Sequence, residues 1–135
     1  MEPDKAVIML EDSSGRLFVN QRSADKRLFP LKYTLGAGGH IEPGETPEEA
    51  ASRELKEELG LEGPLRKLFT IDFSSPKLTH RLHVFFLKHD GELKGCDEFK
   101  WCGWMSLQEV DKLVAEGKLC PDTAMFYRKW KRSLR

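Results

Sequence analysis

The chain has 135 residues, and its 22 Lys and Arg are balanced by 22 Asp and Glu. That length suits one domain with a single core that needs no covalent staples. A net charge of zero gives no global field for holding nucleic acid or an anionic membrane, and no apolar run approaches a bilayer span.

Lys5 to Glu11 is a short apolar run that predicts a buried strand. Asp12-Ser13-Ser14-Gly15 is turn chemistry, and the alternation over Arg16 to Gln21 predicts a returning strand, so the two form a β-hairpin. Arg22 to Leu31 is polar, basic and broken by proline, which predicts a loop. Its place in the chain lets Arg22, Lys26 and Arg27 reach an anionic ligand such as a phosphate; the plainer reading is a solvated basic loop. Tyr33 to Gly39 is expected as one strand whose glycines permit close backbone approach.

Thr46-Pro47-Glu48-Glu49 is a helix start: Thr46 caps, Pro47 has the fixed φ favoured at the first position, and Glu49 closes a capping box. Gly60 is placed for a left-handed C-cap, so the helix is predicted over Pro47 to Leu59. Helical periodicity puts Ala51, Leu55 and Leu59 on a core-facing side. Glu54, Glu57 and Glu58 share a neighbouring arc, with Arg53 at its edge within reach of Glu49 and Glu57. Like charges such as Glu54 and Glu58 repel at this spacing, and nothing basic stands between them. A solvated surface helix explains that arc poorly, whereas a hard divalent cation that takes carboxylate oxygens and substrate phosphates explains it well.

Beyond the helix, Leu65 to Phe73 and Arg81 to Lys88 predict two strands joined through Ser74 to Lys77. Residues 89–98 are a glycine-containing loop, and Phe99 to Met105 predicts a last strand. Ser106 with Glu109 caps a helix over Leu107 to Glu116, and Asp122 to Lys131 predicts a final helix with Met125, Phe126 and Trp130 in the core. Cys96, Cys102 and Cys120 are odd in number and never spaced CxxC, so reduced thiols in a cytoplasmic protein are expected rather than a disulfide frame or a zinc site. Met1 to Asp4 lacks the order of a signal peptide. Strands around one central helix, followed by C-terminal helices, predict a mixed sheet covered on both faces.

The segment Gly39 to Leu61 resembles the Nudix box, G-x5-E-x7-R-E-U-x-E-E-x-G-U with U apolar. Here it reads Gly39, Glu45, Arg53-Glu54-Leu55, Glu57-Glu58 and Gly60-Leu61, with every defined position filled. The resemblance implies an α+β fold, an α/β/α sandwich with a mixed sheet and a catalytic loop-helix-loop. It further implies metal-dependent hydrolysis of a nucleoside diphosphate linked to another moiety X, with Mg²⁺ or Mn²⁺ as cofactor. Glu57 and Glu58 are then the leading metal ligands, and Glu54 is a third ligand or the general base. Gly38 contributes a backbone carbonyl to the metal. Gly39, Glu45 and Arg53 support the site, with Arg53 clamping Glu45, Glu49 and Glu57. A carboxylate outside the box, Glu98 in preference to its neighbour Asp97, completes the site as a ligand or alternative base. The expected partner is a small nucleotide, the expected assembly a monomer or homodimer, and neither membrane nor nucleic acid is expected. The basic Lys129 to Arg135 tail reads as a solvated terminus.

The substrate lies outside the box. Pro76 follows Leu61 at a spacing similar to that in ADP-ribose hydrolases, although one proline in such a loop usually only shapes a turn. Phe29, Tyr33, Phe73 and Phe85 are candidates for stacking on a base, with core packing the plainer role. VNQRSADK-x-x-FP ahead of AGGH also resembles isopentenyl-diphosphate isomerases, which need a cysteine just after this strand and a histidine metal cluster. No cysteine precedes Cys96. A binding module that has lost hydrolysis typically lacks box carboxylates, and all are present here.

Overall fold

The computed structural model describes residues 3–134. The readings of Met1, Glu2 and the terminal Arg135 lie outside the described residues. Strand β1 (Lys5–Glu11) is the spine of a seven-stranded sheet. It pairs parallel with β6 (Thr79–Lys88) from Lys5↔Leu82 to Glu11↔Lys88. Its other edge is shared between β2 (Leu17–Gln21), at the hairpin end, and β4 (Ala37–His40), from Lys5↔His40 to Ile8↔Ala37. Strands β3 (Tyr33–Leu35) and β7 (Trp101–Met105) both pair antiparallel with β2, and β5 (Arg66–Ser74) forms a hairpin with β6.

The strict alternation of β1 divides the core in two. Ala6, Ile8 and Leu10 pack with Ala50, Ala51, Leu55 and Leu59 of helix α1 (Pro47–Leu59). Val7 and Met9 face the other way, toward Val110 and Leu113 of α2 (Leu107–Ala115) and Phe126, Tyr127 and Trp130 of α3 (Pro121–Arg132). A strand buried on both faces reads as a continuous apolar run rather than an alternating one, which is why KAVIMLE carries no polar face. The result is the expected α/β/α sandwich, an α+β arrangement with a mixed sheet.

Helix α1 has the predicted bounds. Glu49 N–H donates to Thr46 Oγ1 at 3.1 Å, Thr46 N–H donates to Glu49 Oε1 at 2.9 Å, and Gly60 closes the helix at φ 68°. Elsewhere the edges shift for local reasons. Strand β2 starts one residue late because Arg16 is held by Asp12: its backbone N–H and Nε each donate to the carboxylate at 2.8 Å. Strand β7 starts at Trp101 because Cys96–Glu98 forms a 3₁₀ turn ahead of it. That turn brings Cys96 and Cys102 to a Cα–Cα distance of 5.7 Å, and the two form a disulfide. The expectation of three separate thiols is thus corrected; among the described residues only Cys120 is free.

The expected single strand over Tyr33 to Gly39 is two strands. Gly36, at φ 66°, turns the chain from pairing with β2 to pairing with β1, and it passes so close to Ile8 that a Cβ there would overlap the Ile8 carbonyl. Gly15 has a similar backbone, φ 82°, with nothing within 4 Å of a Cβ. Both Gly→Ala replacements force an L-residue into the left-handed region, at about 1–2 kcal/mol, but only Gly36→Ala adds a backbone clash. Urea unfolding is therefore expected to show Gly36→Ala losing at least ~1 kcal/mol more than Gly15→Ala.

Candidate functional site

The helix start and the Gly60 cap fix the register of α1, so that Arg53 leaves it toward the loop between β4 and the helix. Its side chain is three-quarters buried, 24% exposed. Arg53 Nε donates to Glu45 Oε2 at 2.7 Å and Nη2 to Glu45 Oε1 at 2.9 Å, a two-pronged pairing that a lysine cannot reproduce. Nη2 also reaches the His40 carbonyl at 3.1 Å. Nη1 donates to Glu54 at 2.9 Å and Glu57 at 3.4 Å. The expected partner Glu49 is not among these, because its carboxylate is engaged by the Thr46 N–H. Hydrogen bonding from Arg53 holds the Glu45 carboxyl down at about 2. One guanidinium therefore ties the β4 end, the loop and the helix together.

Glu58 takes a different partner. Its Oε1 accepts the Gly38 backbone N–H at 2.8 Å, and burial pushes its carboxyl up to about 7, with the adjacent Glu54 adding to the effect. The Gly38 N–H and the Lys5 charge act in the opposite sense. A repulsive acidic pair in the absence of a cation is what the spacing of Glu54 and Glu58 predicts. The glycines make it possible: a Cβ on Gly39 would overlap the Glu54 carboxylate, and a Cβ on Gly38 would sit 2.7 Å from Val7 Cγ1. Gly95, at φ 86°, lies so close to Glu58 that a Cβ would overlap its carbonyl, and this contact seats the Cys96–Glu98 turn against the end of α1.

A cleft of about 480 Å³ runs alongside these groups. Glu58, Gly38 and His40 line it, and so do Arg22, Lys26 and Arg27 from the loop after β2. Glu98 is on the same cleft whereas its neighbour Asp97 is not. Glu54 and Glu57 lie beside it in the Arg53 network rather than on its wall. Among the described residues, no three acidic, histidine or cysteine side chains converge closely enough to grip an ion as they stand. The donor set nevertheless suits a hard divalent cation. Glu54, Glu57 and Glu58 offer carboxylate oxygens within about one turn of helix, and Glu58 is a buried carboxyl whose charge a bound cation would favour.

Of the proposed stacking residues, Phe29 lines the cleft, while Phe73 and Phe85 are core. Pro76 shapes the β5–β6 turn, where Ser75 N–H donates to the Leu78 carbonyl at 2.8 Å. Several cleft residues escaped the sequence reading: Lys5, Asn20, His80, Cys120 and Asp122. Asn20, a polar residue inside an apolar strand, was the clearest available signal; it is 3% exposed and donates to the Gly36 carbonyl at 2.7 Å. Cys120 has its thiol pushed up to about 12 by burial, so it stays protonated.

Comparison with known proteins agrees with this arrangement. The NUDIX domain family model matches residues 1–129. An uncharacterised Nudix hydrolase of Streptomyces coelicolor is 30% identical over 131 residues, covering 92% of this chain and 72% of that protein. Isopentenyl-diphosphate Delta-isomerase 2 of Aromatoleum aromaticum is 32% identical over 126 residues, covering 89% and 65%. An uncharacterised Nudix hydrolase of Nostoc is 53% identical over 51 residues, but this covers only 38% of the chain and 30% of the relative. The chain thus spans between about a third and three-quarters of the length of these relatives. Among solved structures, a protein of Deinococcus radiodurans superposes with a TM-score of 0.80 at 28% identity, covering 95% of this chain and 82% of that one. The MutT protein of Methanosarcina mazei gives 0.80 at 21% identity, covering 100% and 99%, and shows the shared fold. With the family model spanning nearly the whole chain, the protein belongs to the Nudix family.

Proposed function

We propose that this protein hydrolyses a diphosphate bond in a nucleoside diphosphate linked to another moiety X, with Mg²⁺ or Mn²⁺ as cofactor. The observation that carries this reading is the buried Glu58 carboxyl, about 7, beside Glu54 on a cleft edged by Arg22, Lys26 and Arg27. Carboxylates and cations lining one cleft suit a ligand that brings phosphates and a divalent ion together. Glu54, Glu57 and Glu58 would hold the ion, with the Gly38 carbonyl and Glu98 completing its shell. When bound, such an ion neutralises phosphate charge and lowers the pKa of a water.

The chain's own residues do the rest. Arg22, Lys26 and Arg27 hold the non-reacting phosphate. The water oxygen forms a bond to phosphorus as the bridging P–O bond breaks, releasing two phosphorylated products. The water proton passes to a carboxylate, Glu54 within the box or Glu98 on the cleft; comparing Glu54→Gln with Glu98→Gln identifies which. Arg53 and Glu45 touch neither water nor phosphate in this scheme and act by fixing Glu54 and Glu57. A cytosolic location and a monomeric or homodimeric state are part of this proposal, as suits a small nucleotide substrate. No helix among the described residues is long and apolar enough to cross a membrane.

The isomerase relative makes isomerisation of isopentenyl diphosphate the second reading. It needs a cysteine after Gly39, where His40 stands, and the cleft thiol of Cys120 is too weakly acidic to substitute.

With Mg²⁺, a panel of dNTPs, ADP-ribose, NDP-sugars, dinucleoside polyphosphates and isopentenyl diphosphate is expected to show release from one nucleotide class. Glu58→Gln, which keeps an acceptor for the Gly38 N–H, is expected to lower that rate by about 100-fold or more. Turnover by the mutant at the wild-type rate, or action on isopentenyl diphosphate alone, contradicts hydrolysis by this site.

A pH signature follows from Glu58. Its folded pKa, about 7, stands above the ordinary 4.5, so the folded, metal-free protein binds this proton more tightly than the unfolded chain does. Stability of metal-free protein should fall as pH rises from about 4.5 to about 7 and stay low above that, by up to ~3 kcal/mol. Thermal melts with chelator are expected to show the fall. Saturating Mg²⁺, or Glu58→Gln, is expected to abolish it.

A further inference from the structure

The cleft contains a second polar group that hydrolysis does not use. His80, 2% exposed, stands at the start of β6, and Asp122, 8% exposed, in the first turn of α3. His80 Nε2 and Asp122 Oδ2 are 3.0 Å apart, and Asp122 Oδ1 accepts the Thr123 N–H at 2.9 Å. Burial works against the Asp122 carboxylate, yet the His80 hydrogen bond and the nearby Lys5 charge hold it below the usual range. An ionised carboxylate accepts only, so Nε2 carries a proton, and in the neutral imidazole His80 Nδ1 is left as an acceptor. Among the described residues, that buried Nδ1 has no hydrogen-bond partner. A buried polar atom without a partner is costly enough to need a reason.

Position supplies one. Gly38, the partner of Glu58, pairs with one edge of β1 at Val7, and His80 is on the strand at its other edge, two residues before Leu82, the partner of Lys5. Val7 stands level with Val84 on that strand, so His80 is offset from Gly38 by two strand spacings across the sheet and four residues along it, roughly 16 Å between backbones, on the order of the length of an extended nucleoside diphosphate. Among the residues that line the same cleft as His80 are the apolar Leu78 and Phe126. Such surroundings suit a flat ring bearing one hydrogen-bond donor better than a sugar with several hydroxyls.

We propose that the His80–Asp122 pair determines base specificity, with His80 Nδ1 accepting a hydrogen bond from the exocyclic amine of cytosine or adenine. This rests on the nucleotide reading of the site. Asp122 acts through His80 by fixing its ring and tautomer.

The test compares nucleotides that differ only by amine against oxygen: cytidine with uridine, and adenosine with inosine, in the diphosphate derivative that the panel identifies. Wild type is expected to prefer the amine of each pair by about tenfold in kcat/KM, carried by KM. His80→Phe should level the pairs by weakening only the amine members, whereas His80→Gln, which keeps a donor for Asp122 and an acceptor, should retain most of the preference. A purely structural tie between β6 and α3 would lower the melting temperature and affect every nucleotide alike. Equal handling of each pair by wild type overturns the proposal, as does undiminished preference in a folded His80→Phe. Ligand-induced melting shifts with the same pairs need no turnover. An amine preference there without hydrolysis supports base reading while sinking the hydrolase reading, and equal or absent shifts overturn base reading.

Discussion

Arg53 is the constraint on which the rest of the site depends. A single guanidinium binds both oxygens of Glu45, touches Glu54 and Glu57, and reaches the His40 carbonyl. These groups come from the end of β4, the loop and two successive turns of α1, and the Gly38 N–H to Glu58 bond adds a second tie between β4 and the helix. Because an arginine stays charged at any working pH, the arrangement persists while the proposed ligands change protonation. The charge is also placed asymmetrically: it compensates Glu45, Glu54 and Glu57 but leaves Glu58 beside the Gly38 amide. That imbalance is what a bound cation would correct.

The sheet serves this arrangement by bringing distant segments to one place. Strand β1 is buried on both faces and shares one edge between β2 and β4, so the glycine segment passes across from α1 while the loop of Arg22, Lys26 and Arg27 stays beside the same cleft. The close approaches at Gly36, Gly39 and Gly95 are the cost of that convergence, each a position where any side chain would strike an atom of β1 or α1.

How much of this was legible differs from one kind of feature to another. Helix α1 could be read to the residue because its signals are local: a capping box, a proline at the first position and a glycine cap. Glu98 rather than Asp97 lines the cleft, as do the three basic loop residues, positions that the sequence could offer only as candidates. The split at Gly36 was not legible, since YTLGAGG reads as one strand until its two halves are given different partners. Nor was the Cys96–Cys102 pair, which depends on a 3₁₀ turn that the five intervening positions do not reveal. His80 and Asp122 are 42 positions apart, and a lone histidine at a strand start carries no mark of its partner. Long-range pairing, not local propensity, is what the sequence withheld.

The most direct test of the account is Mn²⁺ binding, followed by electron paramagnetic resonance, to wild type, Glu58→Gln and Arg53→Lys. Wild type is expected to bind one or more ions. Glu58→Gln should bind at least about tenfold more weakly through loss of a ligand, and Arg53→Lys more weakly as well through loss of the two-pronged clamp, with the fold of both intact by circular dichroism. Equal affinity in all three proteins would mean that these carboxylates do not form the metal site, and the central claim would fall.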